Sequence, residues 1–109
     1  MTNYRRGGTY EYIAKKQLEE QGYVVIRSAG SHGPADLVAT NDWEIKFIQI
    51  KFQKDKKINL NKYSEDIEAL RKIPISLHND VRRELWIRIK GNTEWKKYLI
   101  LNMSEVLLN

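Results

Sequence analysis

The spacing of apolar residues along the chain restricts the fold more than any other feature of this sequence. Gly7 and Gly8 precede a segment, residues 9–21, that ends before Gly22, a residue typical of helix C-termini. Within that segment apolar side chains recur every three or four positions, as they do on one face of a helix: Tyr10, Ile13, Ala14 and Leu18. The pattern predicts a first helix over residues 9–21.

Three short segments that favour β-structure come next, at residues 23–28, 36–39 and 44–52. Asn41 and Asp42 lie between the last two segments and favour a tight turn. Because such short connections join neighbouring antiparallel strands, the sequence predicts a three-stranded meander.

Helical spacing returns at Leu60 and ends before Pro74. The apolar positions that carry it are Tyr63, Ile67, Leu70 and Ile73. Asn59 or Asn61 is the expected N-cap, because an asparagine side chain accepts hydrogen bonds from the first free backbone N–H groups of a helix. A second helix therefore follows the meander.

The last third of the chain alternates as strands do. Leu85, Ile87 and Ile89 alternate with Trp86, Arg88 and Lys90. Gly91 and Asn92 then favour a turn, and residues 95–101 favour another strand. We therefore expect two further strands.

Two stretches near these strands are harder to assign. Asn102, with Glu105 three residues later, resembles a capping box, which predicts a last short helical turn. Residues 75–84 carry no pattern that assigns them to an element.

The elements follow the order α-β-β-β-α-β-β, which predicts an α/β fold with a mixed β-sheet flanked by helices. No repeat, low-complexity tract or linker divides the 109 residues. Two separate cores in a chain of this length would each be marginally stable. We expect residues 1–109 to form a single domain.

The composition limits the chemistry that a site in this chain can use. The sequence has no cysteine and only two histidines, which argues against a zinc site with the usual sulfur and nitrogen ligands. Any metal would therefore bind to oxygen. Lysine and arginine exceed aspartate and glutamate by five (19 against 14), which favours a polyanionic partner such as nucleic acid without proving one.

The sequence also bears on location. The first ten residues lack the apolar core of a signal peptide, and the longest apolar runs, residues 23–26 and 98–101, are too short to cross a bilayer. We expect an intracellular, cytoplasmic protein.

Chemically useful groups converge in the predicted meander. Strand side chains alternate between faces, so Gln49 and Lys51 share one face, and a hairpin can fold Asp36 back beside them. The carboxylate, the amide oxygen and the carbonyl of Ile50 are hard oxygen donors that suit Mg²⁺. Lys51 can orient or help deprotonate an attacking water and stabilise a pentavalent phosphate. These are the parts that phosphodiester hydrolysis requires.

The first helix offers one more carboxylate. Glu11 falls close to Leu18 on the helical wheel, at the border of the apolar stripe, so its carboxylate could reach the sheet edge. The alternative is a boundary residue in water, which is the usual place of a helix carboxylate. Asp36 and Lys51 have ordinary alternatives too, as a turn residue and as a lysine extending to solvent.

With these motifs the chain resembles the PD-(D/E)xK nuclease superfamily, and most closely the archaeal Holliday-junction resolvases. The resemblance is carried by residues 5–11 (RRGGTYE), 22–31 (GYVVIRSAGS), 34–39 (PADLVA) and 48–51 (IQIK). It implies a restriction-endonuclease-like fold and a metal site formed by Glu11, Asp36, Gln49 and Lys51. It also implies that Arg27 and Ser31 lie near the scissile phosphate.

The chain departs from the family pattern at two positions. Gln49 stands where the family has its second acid, which removes one negative charge from the metal site and should weaken cation binding. Some branches of the superfamily carry glutamine there, including restriction enzymes similar to the Mrr group. Tyr12 stands where the resolvases usually have an arginine, and this bears more on junction binding than on cleavage.

Basic residues near these motifs are candidates for binding DNA. Arg5 and Arg6 precede the predicted helix, and lysines interleaved with aromatics follow the third strand, where they could track a phosphate backbone: Lys51, Lys54, Lys56, Lys57 and Lys62. A solvated loop is the alternative for the lysines. Trp43, Trp86 and Trp95 are expected to be core or interface residues.

The leading hypothesis is a Mg²⁺-dependent, structure-selective DNA endonuclease that acts on branched DNA as a homodimer, with Mn²⁺ as a possible substitute. One alternative is a restriction or repair nuclease that cuts duplex, flap or single-stranded DNA. The other is a protein with the nuclease fold that binds DNA without cutting it, which the glutamine at position 49 favours.

Overall fold

The described part of the chain forms two α-helices and one six-stranded sheet. The computed structural model describes residues 3–28, 33–75 and 80–109, with side chains from residue 8 onward. In chain order the elements are α1 (Asn3–Glu20), β1 (Val24–Arg27), β2 (Leu37–Thr40), β3 (Ile45–Gln53), a 3₁₀ turn (Leu60–Tyr63), α2 (Ser64–Arg71), β4 (Val81–Ile89), β5 (Trp95–Ile100) and β6 (Glu105–Leu107). The predicted order of helices and strands is confirmed, with β6 in addition.

The strands lie side by side in the order in which they occur in the chain. Strands β1, β2 and β3 form the predicted antiparallel meander, and β4, β5 and β6 form a second one. Between the meanders, β3 and β4 run parallel, since the chain crosses over through α2. The sheet is therefore mixed, as the sequence predicted.

The two helices build separate apolar cores. α1 lies against β1, β2 and β3, and α2 lies against β3, β4 and β5. The buried residues of the α1 core are Ala14, Leu18, Leu37, Ala39, Ile48, Ile50, Trp86 and Trp95. Those of the α2 core are Ala35, Tyr63, Ile67, Leu70, Ile73, Leu85, Ile87, Ile89 and Ile100. Because neighbours along β3 and β4 enter opposite cores, the sheet separates the two clusters.

The tryptophans divide between these cores and the surface. Trp86 and Trp95 are buried and their rings are 5.6 Å apart, as expected for core residues. Trp43 lies in the turn between β2 and β3 and is 82% exposed. Trp43 is therefore not a core residue, because the turn extends beyond the sheet, and an interface position for Trp43 stays a prediction.

Helix α1 begins earlier than the sequence predicted. The two glycines that we expected to precede the helix lie inside it, and it starts at Asn3. Glycine costs about 1 kcal/mol inside a helix, which explains why the pattern suggested a later start. A Cβ at Gly8 would lie 3.4 Å from Nη2 of Arg27, so this glycine allows the close approach of β1.

The predicted helical turn after Asn102 is wrong, since this part of the chain forms strand β6. The two side chains of the apparent capping box bind elsewhere. Asn102 Oδ1 accepts a hydrogen bond of 2.9 Å from the buried Arg83, and Glu105 forms an ion pair with Arg71. These contacts from β4 and α2 outweigh local capping.

Of the two asparagines expected to cap the second helix, the structure uses Asn59. Asn59 Oδ1 accepts from the backbone N–H of Asn61, so Asn59 caps the 3₁₀ turn that leads into α2.

Of the stretch 75–84 that the sequence left unassigned, residues 81–84 belong to β4, and residues 76–79 lie outside the described residues. Neither of the helices in the described ranges is long and apolar enough to span a membrane.

Candidate active site

The β2–β3 hairpin brings Asp36 beside the end of β3. Leu37 pairs with Ile48, and the backbone N–H of Asp36 donates to the carbonyl of Ile48 at 2.9 Å. Oδ2 of Asp36 in turn accepts a 2.9 Å hydrogen bond from the N–H of Ile50. The carboxylate is therefore fixed by the backbone of the strand that carries Gln49 and Lys51.

A cavity of about 320 Å³ opens at this point of the sheet. It is lined by residues from α1, the start of β2, β3 and α2: Glu11, Gly33, Pro34, Asp36, Gln49, Ile50, Lys51, Asp66 and Ala69. The structure thus brings together the four candidates for the catalytic site, Glu11, Asp36, Gln49 and Lys51. It adds Asp66, which sequence reasoning missed.

Asp36 is held in an environment that disfavours its charge. The residue is only 8% exposed, and burial raises the pKa of its carboxyl from 3.8 to about 6. The hydrogen bond from Ile50 and the charge of Lys51 act in the opposite direction, while the carboxylates of Glu11 and Asp66 raise the pKa further. A cation in the cavity would relieve this cost, because it favours the ionised form.

Glu11 faces the sheet and not the solvent. Its side chain is 15% exposed, and its Oε2 lies 3.3 Å from Nη2 of Arg27 at the end of β1. The alternative of a carboxylate in open water therefore does not hold. Arg27 itself lies beside Glu11 and is not among the residues that line the cavity.

Lys51 forms an ion pair with a residue of α2 that also lines the cavity. Its Nζ lies 3.1 Å from Oδ1 of Asp66, and both side chains are about one third exposed or less. A signal for Asp66 was present in the sequence, because it lies three residues after Tyr63 and four before Leu70, on the apolar side of the helix. A polar residue within that stripe points toward the sheet.

The donors around the cavity fit a hard divalent cation. They are the carboxylates of Glu11 and Asp36, the amide oxygen of Gln49 and the carbonyl of Ile50. Within residues 8–28, 33–75 and 80–109, no three acidic or histidine side chains lie close enough to hold a metal by themselves. A cation here would therefore depend on the neutral amide and carbonyl oxygens as well.

The lysines after β3 lie on an exposed loop with a buried anchor. Lys54, Lys56 and Lys57 are exposed, whereas Gln53 is 4% exposed. Nε2 of Gln53 donates to the carbonyls of Asp55 and Lys57, and its Oε1 accepts from the hydroxyl of Tyr63 at 2.7 Å. The loop is thus attached to the α2 core with its ammonium groups in solvent.

Three candidates for DNA contacts cannot be placed. Ser31 lies outside the described residues, and so do the side chains of Arg5 and Arg6, whose backbone belongs to α1. Their roles stay predictions.

Comparison with protein families shows which family this chain belongs to. Residues 2–106 match the family model described as archaeal Holliday junction resolvase (Hjc). The chain belongs to the Hjc family. The family membership read from the sequence motifs is therefore confirmed, and the match includes every residue that lines the cavity.

A curated Hjc relative and a solved Hjc structure agree with this assignment. The crossover junction endodeoxyribonuclease Hjc of Methanocaldococcus jannaschii is 43% identical over 91 residues, which cover 84% of this chain and 63% of that protein. The chain thus spans less than two thirds of the length of this relative. The 1.6 Å structure of Archaeoglobus fulgidus Hjc, described as a Holliday junction resolvase from a hyperthermophile, matches with a TM-score of 0.67 at 18% identity. It covers 87% of this chain and 73% of that one, which confirms the fold.

Proposed function

We propose that this protein is a metal-dependent DNA endonuclease that hydrolyses phosphodiester bonds in branched DNA, as a Holliday junction resolvase does. The observation that carries the proposal is the convergence of Glu11, Asp36, Gln49 and Lys51 on one cavity. Membership of the Hjc family and the name of the Methanocaldococcus jannaschii relative support the substrate.

The residues around the cavity have two roles, which are to bind a cation and to contact the phosphate. Glu11, Asp36, Gln49 and the carbonyl of Ile50 would hold Mg²⁺, or Mn²⁺ in its place. A bound divalent cation supplies Lewis acidity at the phosphoryl oxygen and lowers the pKa of bound water. Asp36 is ready for this role, because the hydrogen bond from Ile50 fixes its orientation before any ligand enters.

Lys51 acts on the phosphate from the face of β3 that it shares with Gln49. Its ammonium group can donate to a non-bridging phosphate oxygen as negative charge develops there, or orient the attacking water. Its Nζ lies 3.1 Å from Oδ1 of Asp66. The attacking water loses its proton to solvent or to a neighbouring phosphate oxygen, and the leaving oxygen of the P–O bond that breaks takes up a proton from solvent.

DNA would bind mainly through its phosphates. The exposed loop lysines, Lys54, Lys56 and Lys57, lie directly after the strand of Lys51, and Arg27 pairs with Glu11 at the end of β1. A four-way junction presents two strands for symmetric cutting, so we propose that the active form is a homodimer with one cavity per subunit. Arg5, Arg6 and Ser31 would extend this surface.

Cleavage of a DNA panel tests the proposed function. With Mg²⁺ the protein should cut a four-way junction, leave linear duplex of matched length and unrelated sequence largely intact, and lose activity in EDTA. In gel-shift competition at moderate salt, the junction should outcompete the duplex, because shape and phosphate position dominate recognition. The bound species should contain two protein chains.

The other outcomes identify the alternatives. Cutting of linear, flap or single-stranded DNA at the same rate would indicate a general nuclease. Binding without cutting at any Mg²⁺ or Mn²⁺ concentration would indicate a DNA-binding protein with the nuclease fold. Gln49 and the lack of three clustered acids among the described residues are the observations that favour this second candidate.

The substitution Gln49→Glu should strengthen cation binding. The change places a carboxylate where the structure has a neutral amide at the cavity wall, and a hard cation prefers the anionic oxygen. We expect the Mg²⁺ midpoint of activity to fall by about tenfold, the lower end of the effect of one changed ligand-shell group. The control is Gln21→Glu, in the exposed turn that follows α1. Gln53→Glu is not suitable, because Gln53 anchors the lysine loop. An unchanged or higher midpoint for Gln49→Glu would mean that position 49 does not contact the cation.

A further inference from the structure

A carboxylate on α2 supplies the cavity with a negative charge that position 49 of β3 does not. At position 49 the chain has an amide instead of the acid of the family pattern. Asp66 lines the same cavity from α2, so the residues around the cavity include three carboxylates, those of Glu11, Asp36 and Asp66, and the ammonium group of Lys51, which pairs with Asp66. The cavity lining therefore has three carboxylates, the same number as it would have with an acid at position 49 and no acid on α2.

The position of Asp66 is set by buried contacts on both sides of it. Ile67 and Leu70 are 4% and 0% exposed in the α2 core. The preceding Tyr63 is 5% exposed and donates to Oε1 of Gln53 at the end of β3. Because these contacts fix the helix against β3, the 3.1 Å pairing of Asp66 with Lys51 is part of the folded arrangement.

An acidic residue in the first turn of a helix has an ordinary explanation, which is interaction with the helix dipole. Glu65 occupies the same turn and is exposed, so it has that advantage without contact with the cavity. The difference between the two acids is the partner of Asp66. Comparing variants at positions 65 and 66 therefore separates a helix effect from an effect on Lys51.

A lysine in an open cavity needs a partner to act from one position. Its four-carbon side chain carries about 2 kcal/mol of rotamer entropy, which must be lost each time the ammonium group takes its place. Gln49 lies on the same face of β3, two residues away, but an amide attracts an ammonium group less than a carboxylate does. Asp66 is the carboxylate that the structure places against Nζ.

We propose that Asp66 is a positioning residue that holds the Lys51 ammonium at the cavity and supplies the negative charge that Gln49 lacks. The inference rests on the proposed nuclease function for its catalytic consequence, and on the ion pair alone for its structural part. It implies that positions 49 and 66 are coupled: a carboxylate at either one is sufficient, and loss of both is not tolerated.

The structural part can be tested without DNA or metal. A lysine ammonium group gives a nitrogen–proton correlation signal only when a partner slows its exchange with water. Wild type and Glu65→Gln should show the Lys51 signal, which is identified by its loss in Lys51→Ala. Asp66→Asn should lose it, and Gln49→Glu combined with Asp66→Asn should restore it, since Cα atoms two residues apart on a strand are about 6.6 Å from each other.

The catalytic part is tested by single-turnover cleavage of a four-way junction. Asp66→Asn should lower the rate at saturating DNA by about 10- to 100-fold with little change in DNA affinity, which is the usual effect of removing a group that orients a catalytic one. Asp66→Glu and Glu65→Gln should stay near wild type. In the double variant the rate should return to within about threefold of Gln49→Glu alone, whereas independent effects would add.

The outcomes separate this inference from the proposed function. If wild type cuts no DNA, the proposed function fails, and the Lys51 signal still decides whether Asp66 holds the ammonium group. A Lys51 signal that persists in Asp66→Asn overturns the inference even if cleavage is normal. Equal losses of cleavage rate in Asp66→Asn and Glu65→Gln, or no rescue by Gln49→Glu, would mean that Asp66 acts only on the stability of α2 and does not position Lys51.

Discussion

Asp36→Asn is expected to abolish cleavage while making the metal-free protein more stable at neutral pH. The asparagine oxygen can still accept the hydrogen bond from Ile50 but brings no charge to the cation. We expect a loss of at least about 10³-fold in the single-turnover rate, which corresponds to about 4 kcal/mol of transition-state stabilisation. Binding of the junction should stay within a few-fold, because phosphate contacts elsewhere dominate it.

The stability effect follows from the raised pKa of Asp36. The folded protein has a pKa of about 6 for this carboxyl against an ordinary value of 3.8, so the folded state binds the proton more tightly than the unfolded state does. The resulting stabilisation is fully present below pH 3.8 and is lost as the pH rises through 6. Two pKa units correspond to roughly 3 kcal/mol, which is the cost of the ionised, metal-free site at neutral pH.

Urea unfolding in EDTA over a range of pH measures this difference. The free energy of unfolding of Asp36→Asn, relative to wild type, should increase as the pH rises from about 4 to about 7.5, by up to roughly 3 kcal/mol. Asp42→Asn, in the exposed turn between β2 and β3, is the matched control and should follow wild type at every pH. A difference that does not change with pH would show that the Asp36 carboxyl is not desolvated as the structure indicates.

Lys51→Ala is expected to have the second largest effect, a loss of about 10²- to 10³-fold in the cleavage rate. The methyl group cannot donate to a phosphate oxygen, and removal of one preorganised donor to a developing charge has this magnitude in other enzymes. The substitution also leaves the partly buried Asp66 without its ion-pair partner. Because both side chains are partly exposed, the cost to folding should stay below about 1 kcal/mol.

Single-turnover cleavage and gel shift on the same junction test the lysine. Lys90→Ala serves as the control, because Lys90 is exposed in the turn after β4 and its substitution removes an equal charge from the protein. We expect Lys90→Ala to cut at the wild-type rate and Lys51→Ala to bind within a few-fold of wild type. If Lys51→Ala nicked the junction near the wild-type rate, the catalytic site would lie elsewhere.

Local patterns in the sequence were sufficient for most of the fold. The helical spacing of Tyr10 to Leu18 and of Tyr63 to Ile73 predicted α1 and α2, and the turn at Asn41 predicted the first meander. Strand alternation likewise placed Gln49 and Lys51 on one face, where the structure has them beside Asp36. These features depend on residues close together in the chain, so periodicity determines them.

The errors arose where distant contacts decided the outcome. Gly8 lies inside α1 where β1 brings Arg27 close to it, and Asn102 and Glu105 bind Arg83 and Arg71 instead of capping a helix. Local preferences of a few tenths to about 1 kcal/mol cannot compete with such tertiary interactions.

The sequence alone pointed to Glu11, Asp36, Gln49 and Lys51 as the candidate site, because the family motifs and strand periodicity specify these positions. Only the tertiary structure showed that Glu11 pairs with Arg27, that Asp36 is desolvated, and that Asp66 reaches Lys51. Burial and charge at a site depend on every element packed around it. Helix α2 lies against β3 through a crossover, and no local pattern reports the distance from its first turn to Lys51.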